Sequence, residues 1–389
     1  MNKKLSPYII GIPNMGVGML WAMNLILIPL LAGTIILADD PDYNKKLAVL
    51  ISMGAFTGIF VQYFAGLLSD RCKLKIGRRK PFILAGVTVA SIMMCIMPYI
   101  KDYNTLFVVA LVFYISVNFY QGPYYSMIPE TVDESQIGLA NGFSKVISIL
   151  GSAIVFVAGP MLWSIDKTYP FFLAAVLSML SVVGTVILVK EKNDIDIIPV
   201  KIRFDFYKHK SIMRLFSLVF LVFFAYGCIT PFFVKYCLSY TGFTESQAST
   251  GMLILTIAGA IFAYPIGILA DKISKKKVFG NGVLLFGVAL FALIFIKTLG
   301  GLYFFLSLIG IGFIAIQITI YAICAQIVSP DRMGEFMGIM NMFISFGQFA
   351  SNNIMGALLD NFGYGIFFIV PAIIMLISGV LIFKKLMIN

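Results

Sequence analysis

The sequence predicts an all-α membrane protein of twelve transmembrane helices arranged as two pseudo-symmetric six-helix bundles. Three observations lead there. Of 389 residues, 60% are hydrophobic and only 12% charged, with a mean hydropathy of +0.96; a water-soluble chain would have to expose much of that apolar surface, so lipid is the better solvent. Apolar runs long enough to cross a bilayer, about 20 residues each, recur along the whole chain. Short motifs then repeat at a steady offset of 200 to 201 residues between the two halves. A disordered chain, a secreted disulfide scaffold and a soluble enzyme all fit this composition poorly.

The spans read, in order, as residues 7–38, 47–68, 81–100, 105–127, 137–163, 169–189, 212–235, 247–269, 279–297, 301–328, 335–359 and 363–383. The first, fifth and tenth are overlong, which implies tilt, a kink or an interfacial turn. Lys3 and Lys4 precede the first run, but that run is too long and continuous for a signal-peptide core, so it is expected to be a retained helix. The cysteines (Cys72, Cys95, Cys228, Cys237, Cys324) lack paired spacing and mostly fall in or beside apolar segments, reading as space-filling thiols rather than disulfides or metal ligands. No cofactor is implied.

Basic residues orient the bundle. With the N-terminus inside, the cytoplasmic segments hold 22 of the 29 lysines and arginines and the outer loops six, with Lys145 inside a span. This positive-inside split places both termini in the cytoplasm of a multi-pass protein of the plasma or cytoplasmic membrane. The charge of +11 thus forms a basic surface beside anionic lipid, and no nucleic-acid partner or obligatory protein partner is indicated. The polar connection, residues 190–211, carries Pro199 and the lone His209; it divides an N-terminal bundle, 1–189, from a C-terminal one, 212–389. Nothing assembles around His209 to give it a chemical role.

The halves match in detail. Gly66-Leu67-Leu68-Ser69-Asp70-Arg71 after the second span corresponds to Gly267-Ile268-Leu269-Ala270-Asp271-Lys272 after the eighth, and Gly138-Leu139-Ala140-Asn141 to Gly338-Ile339-Met340-Asn341. Parallel repeats of this kind build alternating-access transporters. Polar residues then mark faces that need water, substrate or partners. Asn141, Lys145, Ser148 and Ser152 follow at steps of four, three and four, as do Asn341, Ser345, Gln348 and Asn352, so each set lies on one helical face. The fourth span carries Tyr114, Asn118, Gln121 and Tyr125, ring faces and amides of both polarities suited to a neutral polyhydroxylated solute. Asn14, Trp21, Asn24, Gln62, Tyr226, Thr230, Gln317 and Tyr321 complete the candidate substrate pathway. Each amide has two readings, ligand contact or a hydrogen bond to a neighbouring helix. Lys145 likewise either lines the cytoplasmic half of the pathway or snorkels.

The loop after the second span continues Cys72-Lys73-Leu74-Lys75-Ile76-Gly77-Arg78-Arg79-Lys80-Pro81-Phe82-Ile83. With its counterpart at Asp271, it resembles the major facilitator superfamily over nearly the whole chain. The long Asp-Arg-Cys form ending in Gly-Arg-Arg-Lys-Pro-Phe-Ile, together with Gln62 and Asn118-Phe119-Tyr120-Gln121-Gly122-Pro123, is similar to sucrose transporters and their animal relatives. Asp70 is placed to reach amides at a neighbouring helix N-terminus, and Arg71 and Arg78 to bridge carboxylates or phosphates. Gly66, Asp70, Arg71, Gly77, Arg78, Arg79, Asp271 and Lys272 then form a cytoplasmic latch; by resemblance Asp70 approaches the eleventh helix and Asp271 the fifth. The resemblance implies a sugar/proton symporter. One residue departs from it: the acidic position of sucrose transporters, seven before the glutamine of Gln-Gly-Pro, is Tyr114 here, and the second span lacks the acidic cation ligands of melibiose-type relatives.

The expected function is secondary active transport of a small neutral polyhydroxylated solute, a sugar or glycoside, with protons as the coupling ion. A uniporter or an exporter of another polar solute is the alternative. A channel lacks a filter sequence or charged ring, and a membrane enzyme lacks a phosphate loop, metal set or nucleophile/base pair.

Overall fold

Long apolar runs leave the backbone as the chief polar component to be satisfied within lipid, and the helix does this inside one segment. The computed structural model describes residues 6–36, 39–70, 72, 74, 76–132, 137–189, 210–327 and 333–385; within them a few side chains, including those of Asp70, Asn141 and Asp271, lie outside the described set. No strand occurs among the described residues.

The first span is three helices: α1 (Ser6–Gly11), α2 (Asn14–Leu25) and α3 (Leu27–Ile35). It is followed by α4 (Tyr43–Asp70), α5 (Lys80–Ile96), α6 (Tyr103–Thr131), α7 (Ile137–Ile165) and α8 (Tyr169–Leu188). The second half comprises α9 (Lys210–Gly227), a short α10 (Phe233–Tyr236), α11 (Glu245–Lys272), α12 (Lys275–Leu293), α13 (Leu299–Ile327), α14 (Met333–Phe362) and α15 (Ile369–Lys385). Among the described residues, eleven helical segments are long and apolar enough to cross a membrane. The remaining one, α14, is 30 residues long; Asn341, Ser345, Gln348, Ser351, Asn352 and Asn353 lower its apolarity.

The kink anticipated in the first span has a physical cause, and so does an unanticipated one in the seventh. A proline has no N–H and its ring crowds the carbonyl four residues back. Pro29 lies four after Leu25, where α2 ends, and Pro231 four after Gly227, where α9 ends. Pro160 and Pro265, by contrast, sit inside continuous helices α7 and α11. The overlong tenth span is one unbroken helix, α13.

Helix ends are closed locally. Asp102 accepts a hydrogen bond from Thr105 N at 2.9 Å at the start of α6, and this bond holds its carboxyl below the usual carboxylate range. Before α11, Thr244 and Gln247 form a reciprocal box, Thr244 Oγ1 accepting from Gln247 N at 3.2 Å and Gln247 Oε1 from Thr244 N at 2.9 Å.

The chain forms two compact units: Met1–Asp40 with Met53–Pro199, and Pro41–Ser52 with Val200–Asn389. In the first, α2 packs on α7 and α8, and α5 on α6 and α8; in the second, α9 packs on α14 and α15, and α12 on α13 and α15. The same pairing therefore recurs, as the sequence repeats require. Without a hydrophobic drive between helices in lipid, close backbone approach carries this packing. A Cβ on Gly18 would collide with the Ser148 carbonyl, and one on Gly227 with the Ser351 hydroxyl.

Candidate functional site

The first unit brings α4 and α6 together in matched steps of four. On α4 lie Gly54, Gly58 and Gln62; on α6 lie Tyr114, Asn118 and Gly122. A Cβ on Gly54 would stand 3.1 Å from the Tyr114 ring, one on Gly58 3.2 Å from Asn118 Oδ1, and one on Gly122 would strike the Gln62 carbonyl. The glycines thus let two amide-bearing helices approach at this level.

Gln62 Nε2 donates to Asn118 Oδ1 at 2.7 Å and to Gln121 Oε1 at 3.2 Å. Asn118 Nδ2 lies 3.1 Å from Gly54 O, 3.0 Å from Thr57 Oγ1 and 3.0 Å from Tyr114 O. The Tyr114 hydroxyl donates to Asn24 Oδ1 on α2. Asn118 therefore takes the helix-tying role, whereas three groups keep spare capacity: Gln121 Nε2, Gln62 Oε1 and Asn24 Nδ2 accept or donate no hydrogen bond among the described residues. Gln121 is only 6% exposed, so a ligand meeting its amide is largely withdrawn from water. The arrangement offers donors and acceptors without formal charge.

On α2, Asn14 is buried and donates through Nδ2 to Ser144 O at 3.0 Å, joining α2 to α7. Trp21 is 51% exposed. The Asn141 side chain lies outside the described residues. Lys145 is exposed, and its helical face follows from its neighbours. The exposed apolar residues of α7, Val146, Leu150, Val157, Met161 and Ile165, form one stripe; at 3.6 residues per turn Lys145 stands about 145° from its centre. That is the side of Ser148 and Ser152, and Ser152 Oγ donates to Gly18 O at 2.9 Å.

In the second unit, α13 repeats α6: both have 29 residues, and Gln317 and Tyr321 occupy the places of Gln121 and Tyr125. Tyr321 donates to Asn341 Oδ1 at 2.8 Å. Asn352, in the amide orientation that satisfies both ends, donates to Gly227 O at 2.8 Å and Gln348 O at 3.0 Å, the counterpart of Ser152 on Gly18. Tyr226 stacks on Phe313 with centroids 4.2 Å apart and planes 9° apart. Gln317, Gln348 and Thr230 are half-buried, with no side-chain hydrogen bond among the described residues.

Of the loop motif, Gly77 has φ +129°, a conformation that favours glycine. Arg79, 4% exposed, donates through Nη1 to Ser69 Oγ at 3.1 Å, tying the loop to the end of α4. Arg78 is half-buried and Lys272 exposed, and a Cβ on Gly66 would meet nothing within 4 Å. Arg71 and the side chains of Asp70 and Asp271 lie outside the described residues, as does His209.

Sequence reading missed Thr57, Gly54 and Gly58 in this site. The signal of the two glycines was present as small residues spaced by four before Gln62, with Thr57 beside Gly58 on the same helix.

The family model of the Major Facilitator Superfamily matches residues 11–202 and 215–387. The sucrose transport protein SUC4 of Arabidopsis thaliana is 30% identical over 130 residues, 29% of this chain and 26% of that protein; SUC3 of the same plant is 45% identical over 53 residues, 14% of this chain and 9% of that one. The chain thus spans about a quarter or less of the length of these relatives. An uncharacterized MFS-type transporter of Methanocaldococcus jannaschii is 20% identical over 85% of both chains. Among solved structures, the nucleoside transporter NupG superposes with a TM-score of 0.76 at 15% identity, covering 98% of this chain and 99% of that one.

Proposed function

This chain belongs to the major facilitator superfamily, and we propose that it is a secondary active carrier of a small neutral polyhydroxylated solute, a sugar or glycoside, working by alternating access with protons as the coupling ion. Membership makes it a multi-pass membrane transporter; substrate and coupling are the proposal. The observation that carries the substrate class is the Gln62, Asn118 and Gln121 cluster, which is uncharged, buried at Asn118 and Gln121 and half-buried at Gln62, and retains unused amide donors and acceptors. Hydroxyl groups match such sites because each can give and take a hydrogen bond, whereas a charged solute would enter this cluster without a counter-charge.

Within this reading Gln62, Gln121, Asn24 and Tyr114 contact substrate from the first unit, and Gln317, Gln348 and Tyr226 offer similar chemistry in the second. Asn14, Ser152, Asn352 and most of Asn118 serve helix packing. Lys145, on the face away from the apolar stripe, handles charge during coupling. The match to sucrose transport proteins supports the solute class, and Asp70, Arg71, Asp271 and Lys272 are assigned to the cytoplasmic latch by the motif.

Equilibrium binding to the purified protein tests the substrate class: competition by a panel of neutral glycosides and polyols should outrank amino acids and organic anions of equal size. Binding confined to charged solutes would overturn it. Uniport is the second reading, favoured by Tyr114, whose phenol pairs with Asn24 where the resemblance expects a carboxylate.

A further inference from the structure

Helix α4 is shared: residues 41–52 cluster with the second unit and 53–70 with the first. Its opening turns meet α14 through polar contacts. The Asp360 carboxylate accepts from Asn44 N at 3.0 Å, Lys45 N at 2.9 Å and Asn44 Nδ2 at 2.8 Å. Tyr364 donates to Asn44 Oδ1 at 2.6 Å, and Asn353 Nδ2 to Ser52 Oγ at 3.2 Å. Between them, a Cβ on Gly356 would lie 2.7 Å from Asn44 O and 2.8 Å from Ala48 Cβ. Asn353, Gly356 and Asp360 follow at steps of three and four on α14, and Asn44, Ala48 and Ser52 at steps of four on α4. Two regular faces are in register here.

The amides that Asp360 accepts are those a helix leaves unsatisfied at its start. Helices ordinarily fill them from their own N-cap residue, and this one has such a residue. Asp42 O accepts from Lys46 N at 2.9 Å, which puts Asp42 at the N-cap, while its Oδ1 is engaged by Lys45 Nζ at 2.6 Å. Two carboxylates can therefore serve one helix start, a local one and a distant one, and exchange between them leaves no amide orphaned.

We propose that Asp360 is a releasable cap, a latch that holds the opening turns of α4 on α14 in this conformation and passes their amides to Asp42 when that face opens. The device rests on the alternating-access reading above, and supplies what it demands: two arrangements close in free energy because the same donors are satisfied in both.

The test uses the full chain without solute, so it reads conformation independently of what is transported. Ser52→Cys, buried in this conformation, is labelled with a membrane-impermeant maleimide applied to the face where α4 begins, and Met252→Cys on α11, also buried, serves as a control. Asp360→Ala should raise Ser52→Cys labelling at least fivefold and Tyr364→Phe about twofold, with the control unchanged, while Asp42→Ala should lower it. Unchanged Ser52→Cys labelling in both Asp360→Ala and Tyr364→Phe overturns the latch. So does a parallel rise at both probes, which would make Asp360 a contributor to folding alone.

Discussion

Replacing Asn118 and Gln121 separately should divide stability from binding, although the two residues are three apart on α6 and share one partner. Asn118 joins α6 to α4 through its Oδ1, which accepts from Gln62 at 2.7 Å, and its Nδ2, which lies within 3.1 Å of Gly54 O and Thr57 Oγ1. Asn118→Ala removes about two interhelical hydrogen bonds at about 0.5–1.5 kcal/mol each, so a loss of about 1–3 kcal/mol in stability is expected. Gln121 has a single, longer bond to Gln62 at 3.2 Å, and Gln62 Nε2 keeps Asn118 when it is gone. Gln121→Ala should therefore leave the melting temperature in detergent nearly unchanged and weaken solute binding by about 0.5–1.5 kcal/mol, about two- to twelvefold in Kd. Thermal unfolding and equilibrium binding on the same preparations check both halves. Equal destabilisation by the two variants, or unaltered affinity in Gln121→Ala and in the Gln62→Ala/Gln121→Ala double variant, would refute the assignment and move the site elsewhere.

Three further outcomes follow from the same account. Lys145→Met should retain solute exchange across equal proton gradients but lose proton-driven accumulation in voltage-clamped proteoliposomes; full accumulation would remove the lysine from coupling. Asp70→Asn should reduce transport far more than Lys73→Gln and shift conformation-sensitive cross-linking toward the inward-open state, because the proposed latch assigns helix-terminal amides to the former alone; equal, wild-type rates in both would make the loop charge peripheral. A cysteine placed in the 190–211 connection should resist an impermeant thiol reagent outside intact cells, whereas one at Asn44 should be labelled when the Asp360 cap is removed; rapid labelling of the connection would invert the topology.

Much of this architecture is legible in the residue order because lipid leaves few options. Apolar length names the spans, and a proline four residues beyond a helix end explains both the Leu25 and the Gly227 breaks. The eleventh span shows the limit of apolarity as a guide: its amides were readable as a polar face, but the same amides dilute the signal that marks it as membrane-crossing. Periodicity also placed Asn118 and Gln121 on one helix without distinguishing their roles, since that depends on whether Gly54 and Thr57 come within reach. Periodicity placed Ser152 and Asn352 on polar faces, but that they donate to the carbonyls of Gly18 and Gly227 depends on the packing of neighbouring helices. Asp360 gave no signal of its own, because a carboxylate just past a span reads as ordinary loop polarity until the helix start it caps is known.

Counterflow in proteoliposomes tests the central claim, a carrier with one alternately exposed site, most directly. Vesicles preloaded with unlabelled solute and diluted into a trace of labelled solute should accumulate label transiently above its equilibrium level, because the returning site is occupied by unlabelled molecules and recycles faster than it releases label. Entry of label that rises monotonically to equilibrium, without overshoot and without saturation, would contradict the account and indicate a pore.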